Sequence, residues 1–221
     1  GWATATGHLR AQILYYIAEN LSARSAEFAA RIDAMTGGTG GAAEVSAAIG
    51  RLFTYGAWAD KFDGAAQGVP QRGLALALNE PVGVIGALCP HEAPLLGLVT
   101  AIAPAIAMGN RVVAVPSAPF PLAATDFYQV LETSDVPAGV VNIVTGDHAA
   151  LGDTLARHLN VDAVWCFSDP GLAGPLERAA AGNLKRTWLA RMDWAAPAAE
   201  GRAFLRAATE VKTVWVPYGE G

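Results

Sequence analysis

The fold is decided by residues 82–115, which read VGVIGALCPHEAPLLGLVTAIAPAIAMGNRVVAV. Val82–Leu88 is a short β-prone run, and Arg111–Val115 has the continuous apolar character of a fully buried strand. Between them Pro94–Met108 is helical, with its proline at the first turn, where a missing N–H matters least. Gly109-Asn110 ends that helix. A strand, a helix and a second strand in this order predict a βαβ crossover.

The alternation of strand and helix continues beyond residue 115. We predict helices at Pro121–Thr133, Asp147–His158 and Pro170–Ala181, and strands at Val140–Val144, Asp162–Phe167 and Arg186–Ala190. Repeated βαβ crossovers build a parallel sheet that is covered by helices. The predicted fold class is therefore α/β, with a doubly wound, mostly parallel sheet.

The N-terminal third is predicted to be helical. Apolar residues recur at three- and four-residue steps from Ile13 to Ile32, which is typical of one helix with a buried stripe. The glycines of 37–41 break this pattern, and a second helix carries Val45 to Trp58 on one face. Residues Gly64–Gly73 are expected to form a loop, and Leu74–Leu78 a further short strand.

The C-terminal part does not continue the alternation of strands and helices. Trp194–Gly201 is rich in alanine and proline and is interpreted as a linker, followed by a short helix at Arg202–Ala207. Thr209–Val216 alternates like a strand, with Val211, Thr213 and Trp215 at every second position. Because the backbone groups of a lone strand need partners, we expect this strand to pair with a sheet edge, which another subunit could supply.

The composition of the chain limits the kinds of partner that it is expected to bind. Hydrophobic residues make up 52% of the chain and charged residues 16%, so we expect part of the apolar surface to be covered by a partner. The net charge of −5 argues against nucleic-acid binding. The apolar run Ala93–Met108 is too short for a membrane span and contains Pro104, so no membrane segment is predicted.

Cys89 and Cys166 are the two cysteines, and neither belongs to a CxxC or His-rich pattern. We therefore predict no disulfide framework and no zinc site, which favours a reducing, cytoplasmic setting. The chain opens at Gly1 without an initiator methionine or a signal sequence, so we expect it to be a piece of a longer protein.

Six segments carry short motifs in a shared order. They are Tyr55–Lys61, Glu80–Gly86, Pro104–Asn110, Ala138–Val144, Asn183–Arg186 and Thr209–Val214. Together they resemble the aldehyde dehydrogenase superfamily. One such segment would be weak evidence, but six in register are strong. The resemblance implies a Rossmann-like cofactor-type domain and an oligomerisation strand at the C-terminus.

The sequence departs from the family where the family places its chemistry. P-W-N, whose Asn helps bind the substrate oxyanion, is replaced by Pro90-His91-Glu92, and a carboxylate there would repel that oxyanion. K-P-S-E, which holds the adenosine ribose, is replaced by Val115-Pro116-Ser117-Ala118. F-T-G-S, which holds pyrophosphate at a helix N-terminus, is replaced by Phe167-Ser168-Asp169. E-L-G-G, with the general base, falls on Ala190-Arg191-Met192-Asp193.

The catalytic domain that follows in the family, with its nucleophilic cysteine, is missing from this sequence. The resemblance therefore implies no catalytic, cofactor-binding or metal-binding residue in this chain. It divides the chain into an N-terminal helical segment (1–73), a Rossmann-like pseudo-cofactor domain (74–193), and a linker with the oligomerisation strand (194–221). Val211, Thr213 and Trp215 are its predicted oligomerisation residues.

The pattern is most similar to the C-terminal, non-catalytic unit of the two-unit family 16 aldehyde dehydrogenases. Arg72–Leu76, Glu80–Val84 and the Pro116-Ser117-Ala118 turn are particularly like that unit. This implies a structural role beside a catalytic unit of the same protein, which binds NAD, within a homo-oligomer such as a dimer. An alternative is a module that still binds a nucleotide or metabolite in the crevice that holds the cofactor in the family. For an aldehyde-oxidising enzyme in its own right, we expect no activity.

Several isolated residues admit a catalytic interpretation beside a structural one. Cys89 could be a nucleophile, but a buried structural cysteine is far more common. His91 and Glu92 could act as acid and base, although sequence neighbours usually point apart, which favours a surface loop. Asp147 before His148 is expected to cap a helix. The glycines at 146 and 152 lack G-x-G-x-x-G spacing, so cofactor binding there is not expected.

Overall fold

The computed structural model describes residues 1–70 and 73–217, so Arg72 of the family-like segment and the last four residues lie outside it. The helices are α1 (Gly7–Ala23), α2 (Ser25–Thr36), α3 (Gly41–Trp58), α4 (Pro94–Ala107), α5 (Leu122–Glu132), α6 (His148–Arg157), α7 (Ala173–Ala180) and α8 (Arg202–Ala207). The strands are β1 (Gly64–Gln67), β2 (Leu74–Pro81), β3 (Val84–Leu88), β4 (Arg111–Val115), β5 (Val141–Ile143), β6 (Ala163–Cys166), β7 (Arg186–Leu189) and β8 (Thr209–Val216).

The central sheet is parallel, with the strand order β5-β4-β3-β6-β7. The chain runs outward from β3 through β4 to β5, then crosses to the other side of β3 and runs through β6 to β7. This is a doubly wound sheet, and the predicted fold class is confirmed. The crossing makes the ends of β3 and β6 the topological switch point.

Helices cover both faces of the parallel sheet. On one face α4 lies against the sheet, and every residue of α4 is buried because α1, α3 and α5 pack around it. On the other face α6 and α7 form a smaller core with Leu88 and Val164. No helix in the described ranges has both the length and the apolar character needed to cross a membrane.

The Asn110 side chain connects the segment before the central strand to two other parts of the chain by hydrogen bonds. Its Oδ1 accepts the N–H of Gly83 (2.8 Å), and its Nδ2 donates to the carbonyls of Ala105 (3.0 Å) and Ala208 (2.8 Å). Gly109 before it has a φ of 90°, a conformation that glycine adopts without strain. The Gly-Asn pair therefore ends α4 and ties it to the C-terminal segment.

The N-terminal helical segment differs from the prediction in one respect. The single helix expected from Ile13 to Ile32 is two helices, because the backbone leaves the helical conformation at Arg24 (φ −107°, ψ 15°). Both helices still pack against α3, so the apolar spacing that was predicted for one helix is kept on both sides of the break. Gly37 ends α2 with a φ of 69°, as expected of a glycine break.

A second, antiparallel sheet has the order β1-β2-β8. The expected loop at Gly64–Gly73 is wrong in part, since Gly64–Gln67 forms β1; its four residues are exposed and show no alternation, so only pairing with β2 reveals the strand. β2 was assigned to the cofactor-type domain but belongs to this small sheet. The division of the chain into domains stays a prediction.

The terminal strand β8 pairs with β2 of the same chain along its full length, from Thr209 opposite Pro81 to Val216 opposite Leu74. The idea that another subunit supplies its neighbouring strand is therefore wrong for this edge. Its second edge has no neighbouring strand among the described residues.

Residues 194–201, interpreted as a linker, are anchored in the core at two points. Trp194 is 2% exposed and Ala199 is fully buried. The Trp194 ring lies 5.2 Å from that of Phe167, and Phe204 of α8 packs edge-on against Trp188 at 4.7 Å. This aromatic cluster holds the C-terminal segment on the parallel sheet.

Candidate functional site

The crevice of a doubly wound sheet lies at the carboxyl ends of its strands, beside the switch point. Here three segments meet at that edge: residues 89–92 after β3, residues 116–118 after β4, and residues 167–169 after β6. They include three of the positions at which the resemblance implies a departure from the family pattern.

His148, the first residue of α6, bridges two of these segments. Its Nδ1 lies 2.6 Å from the Oγ of Ser168, and its Nε2 lies 2.6 Å from the carbonyl oxygen of Pro116. A carbonyl only accepts, so Nε2 carries the hydrogen, and Nδ1 of the neutral ring accepts the Ser168 hydroxyl. The ring thereby connects the end of β4 to the end of β6 and is 5% exposed.

His91 completes this group. Its ring centroid lies 4.6 Å from that of His148, and its Nε2 lies 3.5 Å from the Ser168 Oγ. Burial lowers the pKa of His148, and the neighbouring His91 lowers it further, outweighing the Pro116 carbonyl, which raises it. The lowered pKa favours the neutral ring, which can make both hydrogen bonds. We call His91, His148 and Ser168 the crevice cluster.

The backbone N–H groups after β6 already have an anion beside them. The Asp169 carboxylate accepts the N–H of Gly171 at 2.8 Å and caps a short 3-10 turn at Pro170–Leu172. A phosphate approaching this turn would meet a fixed negative charge. The cavity that Ser168 and Asp169 line measures about 150 Å³, below the range of about 300–1,000 Å³ typical of small-molecule sites.

Neither cysteine has the environment of a nucleophile. Cys89 is fully buried, and burial raises the pKa of its thiol to about 12. Burial also raises the pKa of Cys166, which is 5% exposed. Since the thiolate is the reactive form, both environments favour the structural interpretation.

The structure separates the other candidate pairs. Asp147 accepts the N–H of Ala150 at 2.8 Å, so the predicted helix cap is confirmed. Glu92 is exposed and lies 4.0 Å from Arg191, whereas His91 turns inward, so the two neighbours do point apart. Residues 91–93 form a bend, as expected of a loop, and His91 is half-buried with its ring beside that of His148. Gly152 allows α6 to approach Leu88 closely, which is a packing role.

The crevice cluster was missed as a group from the sequence. Its members follow different strands, and only the strand order brings them together. The signal that was present is that His91 and Ser168 lie within three residues of the ends of two strands, and those strands prove to be adjacent. Within the described part of the chain, no three His, Cys, Asp or Glu side chains are grouped so as to hold a metal ion.

The predicted oligomerisation residues lie together on β8. Val211, Thr213 and Trp215 point to one face of the small sheet, opposite Asn79, Ala77 and Ala75 of β2. Val211 is 64% exposed and Trp215 is 54% exposed, so the strand presents apolar surface next to the edge at which no described residue adds a strand.

Comparison with known proteins identifies relatives over most of the chain. The sequence model of the aldehyde dehydrogenase family matches residues 1–191. An aldehyde dehydrogenase of Aspergillus niger is 35% identical over 193 residues, which are 85% of this chain and 38% of that enzyme. The chain thus spans well under half the length of this curated relative, and β8 lies beyond the residues that the family model matches.

Solved structures give the same picture. An indole-3-acetaldehyde dehydrogenase in its apo form superposes with a TM-score of 0.82 at 29% identity, covering 86% of this chain and 45% of that one. A betaine aldehyde dehydrogenase of Staphylococcus aureus, in complex with NAD+, superposes with a TM-score of 0.81 at 26% identity, covering 85% and 39%.

Proposed function

This chain belongs to the aldehyde dehydrogenase family, and we propose that it is a non-catalytic structural and oligomerisation unit of an NAD-dependent member. In this proposal it corresponds to the C-terminal unit of the two-unit family 16 enzymes. A catalytic unit of the same cytoplasmic protein binds NAD and oxidises the aldehyde. This unit buries surface and fixes how the catalytic units assemble.

The observation that carries the proposal is the position of His148. Its ring joins Pro116 to Ser168 across the crevice in which this type of fold places its ligands. A dinucleotide entering the crevice at the ends of β3 and β6 would have to displace a buried side chain that makes two short hydrogen bonds. The Asp169 carboxylate at the following turn further disfavours pyrophosphate.

The small sheet supports the assembly role. β8 is eight residues long, and, within residues 1–70 and 73–217, no strand pairs with its outer edge, whose backbone donors and acceptors can pair with a further strand. Edges of this length pair readily with strands of other chains. Val211, Thr213 and Trp215 would then be covered on association.

Light scattering of the full-length protein tests the assembly role. We expect the triple variant Val211→Lys, Thr213→Lys, Trp215→Lys to shift the protein to a smaller species, because charged edge strands resist pairing. The matched control is Leu159→Lys with Leu184→Lys, since both leucines are exposed away from this sheet (78% and 93%). An unchanged mass of the triple variant, with circular dichroism showing it folded, would refute this role.

The alternative function is a module that retains a nucleotide or metabolite in the crevice. The strand order favours it in a general way, because the ends of β3 and β6 form the switch point at which such folds bind ligands. The crevice cluster occupies this position and the cavity beside it is small, and both observations argue against ligand binding there. Calorimetric titration with NAD+ distinguishes the two functions.

A further inference from the structure

A larger cavity lies along the outer edge of the parallel sheet, between β7 and α8. Its volume is about 520 Å³, within the range of about 300–1,000 Å³ usual for small-molecule sites. Its lining comes from residues 186–188 of β7, from one face of α8 and from Trp165 of β6. No lining residue belongs to the crevice cluster or to β8, or stands where the resemblance places oxyanion, cofactor or general-base residues. The cavity is therefore separate from the crevice and from the proposed assembly surface.

The Trp188 ring provides a fixed apolar surface in this cavity. Its centroid lies between 4.7 and 5.3 Å from those of three other aromatic rings, which are Phe204, Phe167 and Trp165. These contacts hold the ring in place, and the side chain is only half-buried. On the α8 side, the lining residues Ala203 and Ala207 are small and one helical turn apart. The cavity therefore offers a flat aromatic surface with open space beside it.

Two arginines line the cavity, one on each wall. Arg206 is exposed in the last turn of α8, and it is paired with no carboxylate among the described residues. The Nη1 of Arg186 donates to the carbonyl of Thr209 (2.9 Å), and its Nη2 lies 3.2 Å from the Oε2 of Glu210. The Arg186 side chain is still 49% exposed. Since no aspartate or glutamate of the described chain lines the cavity, its walls carry an excess of positive charge.

The outer edge of β7 supplies a backbone donor. The N–H of Arg186 donates to the carbonyl of Asp162 (3.2 Å), on the side of β6. Because the backbone groups of successive residues in a strand face opposite sides, the N–H of Thr187 faces the outer side. Within residues 1–70 and 73–217, no strand pairs with β7 on that side. Thr187 is exposed and lines the cavity, so its N–H can donate to a ligand.

We propose that this cavity binds a small aromatic carboxylate. The Arg206 guanidinium contacts the carboxylate, for which its planar set of donors is suited. The aromatic body lies against the Trp188 ring. Arg186 and the N–H of Thr187 add donors on the opposite wall. An organic cation of the same size is repelled by the two arginines.

Calorimetric titration of the full chain with two isosteric probes tests this proposal. Benzoate carries the carboxylate, and benzamide has nearly the same shape without the charge. We expect benzoate to bind about fivefold more tightly than benzamide, which is the upper end of what one exposed charge pair contributes. Equal affinities of the two probes, or no binding of benzoate at about 10 mM, would overturn the proposal.

The variant Arg206→Gln shows whether this guanidinium is responsible. We expect it to weaken benzoate binding about fivefold and to remain folded, because the side chain is exposed. Arg178→Gln is the matched control, since Arg178 is also an exposed arginine in the last turn of a helix and does not line the cavity. Equal benzoate affinities of the two variants, with circular dichroism showing both folded, would overturn the proposal.

The variant Glu210→Gln should change the affinity in the opposite direction. It removes the carboxylate beside Arg186, so we expect benzoate to bind about twofold more tightly. Glu177→Gln, which removes a carboxylate from an exposed position of α7, should leave the affinity unchanged. Benzoate binding to Glu210→Gln that is no tighter than to the control would contradict the placement of the ligand beside Arg186 and overturn the proposal.

Discussion

The Nδ1 atom of His148 lies 2.6 Å from the Oγ atom of Ser168, although 20 positions separate the two residues in sequence. The contact fastens the first turn of α6 to the segment after β6. Since Nε2 of the same ring contacts the Pro116 carbonyl, one neutral imidazole holds the carboxyl edge of the sheet together. The fold has thus placed a packed polar group where related folds place an open crevice.

The contact makes stability depend on pH. Burial lowers the pKa of His148 in the folded chain below its ordinary value of 6.5. The unfolded chain therefore takes up the proton first as the pH falls, and stability declines from the ordinary pKa down to the lowered one. Urea unfolding of the wild type and of His148→Gln, from about pH 7.5 to about pH 5.5, should show their difference in stability shrinking. Parallel curves for the two proteins would contradict this role of His148.

Asn110 should contribute more to the free energy of unfolding than one polar side chain usually does. Asn110→Ala removes three hydrogen bonds and leaves the N–H of Gly83 and two carbonyls without this partner. We expect a loss of about 3 kcal/mol, because three hydrogen bonds are lost and the N–H of Gly83 is left unpaired, although both carbonyls keep a backbone donor. Asn160→Ala, at an exposed position, should change stability by less than about 0.5 kcal/mol. Denaturant unfolding checks both, and similar losses in the two variants would argue against this account.

The aromatic cluster should hold the C-terminal segment on the sheet. Phe204 is 1% exposed, so Phe204→Ala leaves a cavity beside Trp188 and is expected to destabilise the chain by about 4 kcal/mol. Phe53, at 41% exposure, offers a control of the same chemistry, for which we expect about 1 kcal/mol. Thermal unfolding of both variants provides the comparison. If Phe204→Ala were as stable as the control, residues 194–208 would not be anchored as described.

The sequence predicts the parallel sheet well because buried strands are recognisable from their apolar composition. The predicted bounds of Arg111–Val115 and of Thr209–Val216 coincide with those of β4 and β8. β1 was missed because its four exposed residues carry no alternation, and its pairing with β2 defines it. Trp194 was placed in a linker because its neighbours are alanine and proline, yet its ring packs against Phe167.

The candidate site was less predictable than the fold. The resemblance directed attention to His91, Val115 and Asp169, where it implies departures from the family pattern. It did not reveal that His148 reaches across to Ser168, because that contact depends on strand order and on the first turn of α6. Local patterns predict elements, whereas contacts between segments require the assembled sheet.

Calorimetric titration of this chain with NAD+ tests the central claim most directly. If His148 and Asp169 close the crevice, the wild type should show no binding tighter than about 1 mM, and adding NAD+ with an aldehyde should yield no NADH. Binding in the micromolar range would contradict the account of a structural unit and favour the binding module. NADH production by the isolated chain would contradict both.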